Sequence, residues 1–366
     1  MSSTSTVGHG ADQLEGEPEP TRLGKIMKFQ NLRTLLVLLA IMTIFTALDP
    51  STFLTAFNIR GIVVNTSILA VLGVGTTLVL ITGGIDLSVG SVLVFSGVVA
   101  DKAMVAAGGQ GWGATTLGIA VACVSGLAWG LLNGVLVAKA KVPPLIVTLG
   151  TLGAALGLAQ IITNGLDLRN APTVLVQTIG TGNLIGQLPF LSVIAALVVV
   201  IGIVLLHRTR FGLHTYAIGS NAEAGRRVGL RVDRHLILVY ALAGLLAGFG
   251  GLLNLAFFQS TTIGGQSSTN LNVIAGAVIG GTSVLGGVGT IFGTVLGLFI
   301  PAVLQNGFVI TGIQPFWQQV VVGAVLIAAV YLDQRKRANG SPGKLWSSLL
   351  TRSTPTTSTA RKADSR

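Results

Sequence analysis

Apolar residues in this chain do not alternate with polar ones; they come in long Leu/Val/Ile/Ala/Gly runs, with no polar face to show water, separated by short polar or glycine-rich stretches. A helix needs about 20 mostly apolar residues to cross a ~30 Å hydrocarbon core. Ten runs approach that length, near residues 32–48, 59–82, 87–107, 114–138, 145–163, 189–206, 235–257, 271–281, 288–308 and 315–333. The eighth is too short to span alone. The glycine-rich stretch after it predicts a broken or re-entrant helix, sheltered by protein rather than lipid. The fold class expected is all-α: a polytopic membrane protein of about ten transmembrane helices, one of them broken or re-entrant.

Composition agrees with that pattern. Of 366 residues, 51% are hydrophobic and only 10% charged, against roughly 25% charged in soluble domains. The 23 Lys and Arg exceed the 12 Asp and Glu, for a net charge of +11. In a soluble protein that excess would point to nucleic acid; here its placement reads as topology. With the N-terminus inside, all but Arg60, Lys102 and Arg169 of the basic residues fall in inside segments, which satisfies the positive-inside rule. Both termini are therefore expected in the cytoplasm, and no nucleic-acid partner is expected. The first 21 residues are polar and carry Asp12, Glu15, Glu17 and Glu19, unlike a secretory signal with its basic start, so the first apolar run is expected to be a retained span. The expected division is a disordered cytoplasmic tail over 1–31, a transmembrane domain over 32–337 with a cytoplasmic loop at 207–234, and a disordered cytoplasmic tail over 338–366.

Catalytic machinery is missing from the pattern. There is no GxxxxGK[ST] loop, no strict GxGxxG, no HExxH and no GxSxG, and His207, His214 and His235 have no paired acid. Cys123 is the single cysteine and lies in an apolar run, so neither an internal disulfide nor a cysteine metal site is available. No catalytic residue, metal or cofactor is expected, and the chain by itself is expected to hydrolyse no nucleotide.

Polar groups at apparent membrane depth are the informative minority, because each is costly there unless it caps a helix, bonds another helix or lines a path. Thr82-Gly-Gly-Ile-Asp-Leu-Ser-Val-Gly-Ser91 sets a carboxylate and hydroxyls between two apolar runs. Asp86 there is read as a cap for a helix from Leu87, a role compatible with shaping a path at a half-helix. Gly83-Gly84 with Gly90 is echoed by Gly280-Gly281 with Gly287 at the same offset, and the topology puts both turns on one side. Asp86, Ser88, Asn133, Asn270, Asn272, Thr282, Ser283 and Asn306 form the candidate translocation pathway, with interhelical bonding as the other reading of Asn133 and Asn306. The uncharged stretch from Gln259 to Asn272 is expected to be an outer gate, in which Asn270 and Asn272 touch passing hydroxyls. The glycines at 126, 130 and 134 and at 289, 293 and 297 have the small-xxx-small spacing that lets helices approach closely. In the inside loop, Asn221 is placed to cap a short helix over 222–228 and Gly229 to end it.

Taken together, Thr82–Ser91, the Gly219-x-Asn221-x-x-Ala224-x-Arg226-x-x-Gly229-Leu230 loop, Gly280-Gly-Thr-Ser283 with Gly286-Gly287, and Asn306-Gly307 resemble the permease subunit of ribose-type ATP-binding-cassette sugar importers, over about residues 32–337. The resemblance implies a bacterial inner-membrane protein that moves a monosaccharide or polyol. Its implied partners are a second permease subunit, identical or not, a cytoplasmic cassette ATPase and an extracytoplasmic sugar-binding protein, with the lipid bilayer as the other. It also implies a coupling role toward the ATPase for Asn221, Glu223, Ala224, Arg226 and Gly229. The chain departs from the pattern where ribose-type members often have Glu-Leu-Asp: Asn270-Leu271-Asn272 replaces two carboxylates with two amides. With 21 aromatic residues and few intramembrane charges, a tight internal sugar site is not expected. The competing class is an ion-coupled secondary transporter or channel for a small polar solute, for which Asp86 and Asp101 offer thin coupling material.

Overall fold

The computed structural model describes residues 22–264, 268–314 and 316–339. Among them are twelve α-helices in chain order: α1 Arg22–Leu48, α2 Ala56–Ile81, α3 Val89–Ala106, α4 Trp112–Ala138, α5 Pro144–Thr163, α6 Phe190–Arg208, α7 Arg210–Ser220, α8 Ala222–Arg227, α9 Val232–Phe258, α10 Thr269–Ile279, α11 Ile291–Ile310 and α12 Trp317–Asn339. Between α5 and α6 lie a π-helical turn, Leu175–Gly180, and a small antiparallel hairpin of β1 Asn183–Ile185 and β2 Leu188–Pro189. Eight helices are long and apolar enough to cross a membrane; α10 and α12 carry the shorter apolar segments. The chain is thus an all-α polytopic membrane protein, with its elements where the apolar runs lie. α1 begins at Arg22, ahead of its apolar run, so helical backbone reaches into the segment assigned to the N-terminal tail. Residues 1–21 and 340–366 of the expected tails lie outside the described residues.

Burial separates inner from outer helices. α2 is apolar on every side and 89% of its span is buried, whereas the spans of α1, α4, α5 and α6 are at most 28% buried and turn their Leu, Val and Ile side chains outward. A helix hydrophobic all round belongs inside a bundle; one with wide exposed apolar flanks belongs against lipid. α2 and α9 form the centre, with Leu72, Leu93, Leu252 and Leu255 among the fully buried side chains there.

Glycine sets how closely these helices approach. On α4, a Cβ at Gly126 would collide with Gly244 O and sit 2.7 Å from Gly248 Cα; one at Gly134 would lie 2.8 Å from Ile237 Cα on α9. The second glycine row packs α11 on α10, with Gly293 against Gly280 and Gly297 against Gly276. Both rows therefore bring backbones into contact in a solvent that offers no hydrophobic drive for helix association.

α10 has 11 residues, about 16 Å of helix at 1.5 Å per residue and half of the hydrocarbon thickness. Its C-terminal Gly280 packs at the start of α11, and Gly287 N donates to Ile81 O at the end of α2 over 2.8 Å. The two Gly-Gly turns thus meet on the Lys/Arg-rich face, and the N-terminus of α10 is left near mid-depth.

Candidate translocation site

The first non-helical stretch grows out of the end of α2. Thr82 N and Gly84 N bond back to Leu78 O (3.3 Å) and Val79 O (3.1 Å), and Gly83 takes φ +81°, a conformation that costs glycine nothing. Residues 84–88 then run without helical bonds until α3 starts at Val89. Backbone freed inside a membrane must be bonded by other groups, and here neighbouring helices supply them. Thr148 Oγ1 donates to Ile85 O (3.2 Å), Asn270 Nδ2 to Leu87 O (3.0 Å), and Ser91 Oγ and Val92 N to Ser88 O (2.8 Å each).

Asp86 does not cap a helix at Leu87. Its Oδ1 accepts from Ser88 N (2.8 Å) and Ser88 Oγ (2.6 Å), closing a local turn ahead of α3, and Ser88 makes no side-chain cap. A short side-chain acceptor can satisfy the backbone two residues on without being the N-cap. Asn133 Nδ2 on α4 donates to Ser88 Oγ (2.9 Å), which extends the chain of bonds to Asp86–Ser88–Asn133. All three side chains are buried; Asn133 Oδ1 and the hydroxyl of Tyr240, which lies against Gly84, have no hydrogen-bond partner among the described residues. Tyr240 was not legible as part of this group, since an aromatic residue in an apolar run signals only packing.

A second non-helical stretch, described over residues 259–264, leaves α9 at the opposite face. Leu168 and Thr261 exchange two bonds, Thr261 N to Leu168 O (3.0 Å) and Leu168 N to Thr261 Oγ1 (2.9 Å), and Ile263 N donates to Asp167 Oδ1 (2.7 Å). Gln259 and Thr262 adopt positive φ, 56° and 46°, strained for residues with a side chain. Asn270, in the first turn of α10, bonds Leu87 of the first stretch just ahead of α3. Of the two, α10 is the half-length helix, and its N-terminus directs backbone dipoles at this junction.

Of the candidate pathway residues, Asp86, Ser88, Asn133 and Asn270 thus share one neighbourhood. Asn272 is buried nearby on α10, and its side-chain amide makes no hydrogen bond among the described residues. Thr282 and Ser283 belong instead to the second Gly-Gly turn: Thr282 Oγ1 faces Thr294 Oγ1 (3.4 Å), which meets Thr77 Oγ1 (2.7 Å), and Ser283 N donates to Val288 O (2.9 Å). Asn306 is at the outer end of α11 in a reciprocal amide pair with Asn58 (3.0 and 2.7 Å). That pair uses both groups of Asn306 to tie α11 to α2.

On the basic face, Asn221 Oδ1 accepts from Ala224 N (2.9 Å) at the start of α8, and Gly229 closes the helix at φ +87°. Glu223 reaches Arg226 (3.9 Å) and Arg227 (3.6 Å). Asp233 Oδ1 accepts from both Arg226 (3.1 Å) and Lys141 (2.8 Å), so an acid outside the expected set ties α8 to the loop between α4 and α5. α7, not expected as a helix, carries Gly219 against Ile81 O and Gly287 N, and Tyr216 donates to Gly289 O over 2.6 Å. Burial pushes the Tyr216 hydroxyl up to about 12, keeping it a neutral donor. Thr215 Oγ1 and His235 Nε2 are 2.9 Å apart, which joins α7 to α9.

A family described as "Branched-chain amino acid transport system / permease component" matches residues 58–330. The ribose import permease protein RbsC of Bacillus subtilis (strain 168) is 36% identical over 328 residues, 89% of this chain and 99% of that protein. RbsC of Escherichia coli (strain K12) is also 36% identical, over 83% of this chain and 94% of its own length. The galactose/methyl galactoside import permease protein MglC of the same strain is 33% identical over 82% and 93%. No solved structure matches the chain. These relatives are import permeases, which does not favour an ion-coupled carrier. The match over most of the helical core, on a bundle with eight membrane-length helices, means that this chain belongs to the branched-chain amino acid transport system / permease component family, as a multi-pass protein of the bacterial inner membrane.

Proposed function

We propose that this chain is the membrane permease subunit of an ATP-binding-cassette importer that carries a monosaccharide or polyol inward. A separate cytoplasmic ATPase would drive it, an extracytoplasmic binding protein would deliver the sugar, and a second permease subunit would complete the membrane core. The observation that carries the reading is the junction of Asn270, at the N-terminal end of the half-length α10, with Leu87 in the non-helical run before α3. It is a closed gate built of weak, uncharged hydrogen bonds, suited to a hydroxylated cargo that must leave as readily as it arrives. The ribose and galactose permeases among the relatives support sugar over amino acid cargo.

Coupling to the ATPase is assigned to α8, with Asn221, Glu223, Ala224, Arg226 and Gly229. A physical route runs from α8 through α7 to the Gly219 contact with Ile81 and Gly287, and from Ile81 along residues 82–88 to the gate. The test is reconstitution with the neighbouring ATPase and binding protein in proteoliposomes. ATP-dependent uptake of labelled ribose, galactose or a polyol is expected, and none without the ATPase subunit. Uptake that needs an ion gradient and no ATPase would refute the assignment.

A further inference from the structure

Of the three basic residues on the outer side or within the membrane, Arg60 is committed, donating to Thr181 O and Asn183 Oδ1 (2.8 Å each). Arg169 is exposed and makes no hydrogen bond or ion pair among the described residues. It lines a concavity of about 440 Å³ with Ala171, Val176, Phe258, Gln259 and Ser260, within the ~300–1,000 Å³ range of small-molecule sites. The concavity sits at the head of the outer non-helical stretch over residues 259–264.

Its walls are held in place. The two Leu168–Thr261 bonds set their chain neighbours Arg169 and Ser260 side by side, and Asp167 anchors Ile263 behind them. Phe258 is 44% exposed, and its ring is steadied edge-on by Phe257 at 5.0 Å between centroids. Gln259 follows in a left-handed conformation, φ 56°, the kind of strain that collects at ligand clamps. A planar guanidinium fork, an amide that both donates and accepts, a hydroxyl and an apolar ring face are the groups that suit a polyhydroxylated ring.

We infer that Arg169, Gln259, Ser260 and Phe258 form an outer receiving subsite for the sugar, occupied after release from the binding protein and before the gate. The inference rests on the monosaccharide reading above. Arg169 donates paired hydrogen bonds to neighbouring hydroxyl oxygens, Gln259 and Ser260 take the remaining hydroxyls, and Phe258 covers a C–H face. The sugar is neutral and forms no ion pair with Arg169, so every bond here is an exchangeable hydrogen bond and the sugar moves on.

The experiment uses the complete importer in proteoliposomes, varying the concentration of sugar-loaded binding protein. Arg169→Ala is expected to lower the maximal uptake rate about tenfold, the loss of one good hydrogen bond to a charged group, and Gln259→Ala about fivefold, the loss of a neutral one. The half-saturating concentration of loaded binding protein stays the same, and the ratio of rates between two competing sugars changes. Arg169→Lys restores part of the rate, and Phe258→Trp preserves it while Phe258→Ala does not. A raised half-saturation with an unchanged sugar ratio would make Arg169 a docking residue for the binding protein and overturn the subsite. Unchanged rates in both alanine variants also overturn it, while the transport reading stands. Wild-type complex that moves no monosaccharide overturns both.

Discussion

Asn270→Ala is the perturbation that reaches furthest into the mechanism. Asn270 is 8% exposed, and its Nδ2 is 3.0 Å from Leu87 O, a carbonyl in the non-helical run before α3 that no helical N–H serves. Interhelical hydrogen bonds in membranes average only ~0.6 kcal/mol, with a maximum near 1.7. Losing the donor also strands a buried acceptor, which costs about 1–3 kcal/mol. The second effect dominates, because the truncated residue offers no substitute and α3 begins too late to supply one. The junction is therefore weakened by about 1–2 kcal/mol, or roughly 5–30-fold in the balance between joined and parted states. In sugar-loaded proteoliposomes holding the complete importer without ATP, leak should rise by that factor, and ATP-driven uptake should fall. Sugar affinity of the binding protein should not change. Asn272→Leu is the contrast: its side-chain amide gives up no hydrogen bond, so leak stays at the wild-type level while uptake falls if the amide meets passing hydroxyls. Wild-type leak and uptake in a correctly inserted Asn270→Ala variant would refute the gate.

Arg226→Glu or Asp233→Asn breaks the junction between α8 and the α4–α5 loop. These groups are partly exposed, so thermal stability should move by no more than about 1 kcal/mol, while ATP hydrolysis and uptake become uncoupled; normal coupling in both would reduce α8 to a topology anchor. Gly126→Val forces α4 away from Gly244 and Gly248 and should destabilise by about 1–3 kcal/mol, seen as a lower melting temperature in detergent. An unchanged melting temperature would mean that α4 and α9 do not meet there. Finally, the purified chain freed of cassette subunits should hydrolyse no ATP in a phosphate-release assay, since it has no phosphate loop.

Length and apolarity by themselves place the helices, because a bilayer demands unbroken runs of a set length and leaves few alternatives. The short eighth run, the two Gly-Gly turns on one face, the glycine rows of α4 and α11, and the Asn221 cap of α8 are legible for the same kind of local reason: each is a backbone requirement with a short sequence signature. Which polar side chains meet is not legible. Asn133 and Asn270 come from parts of the chain far from Asp86 and Ser88, and only the packing of α4 and α10 on the start of α3 brings the four together. The same packing places Thr282 and Ser283 in the basic-face turn and commits Asn306 to Asn58. Asp233, Lys141, Tyr240 and the Leu168–Thr261 clamp carry no signal, since a single charge, ring or hydroxyl says nothing of its partner. In a membrane the sequence determines where backbone must be helical, because no water stands by to bond it. The tertiary structure decides which side chains take over wherever the helix is broken.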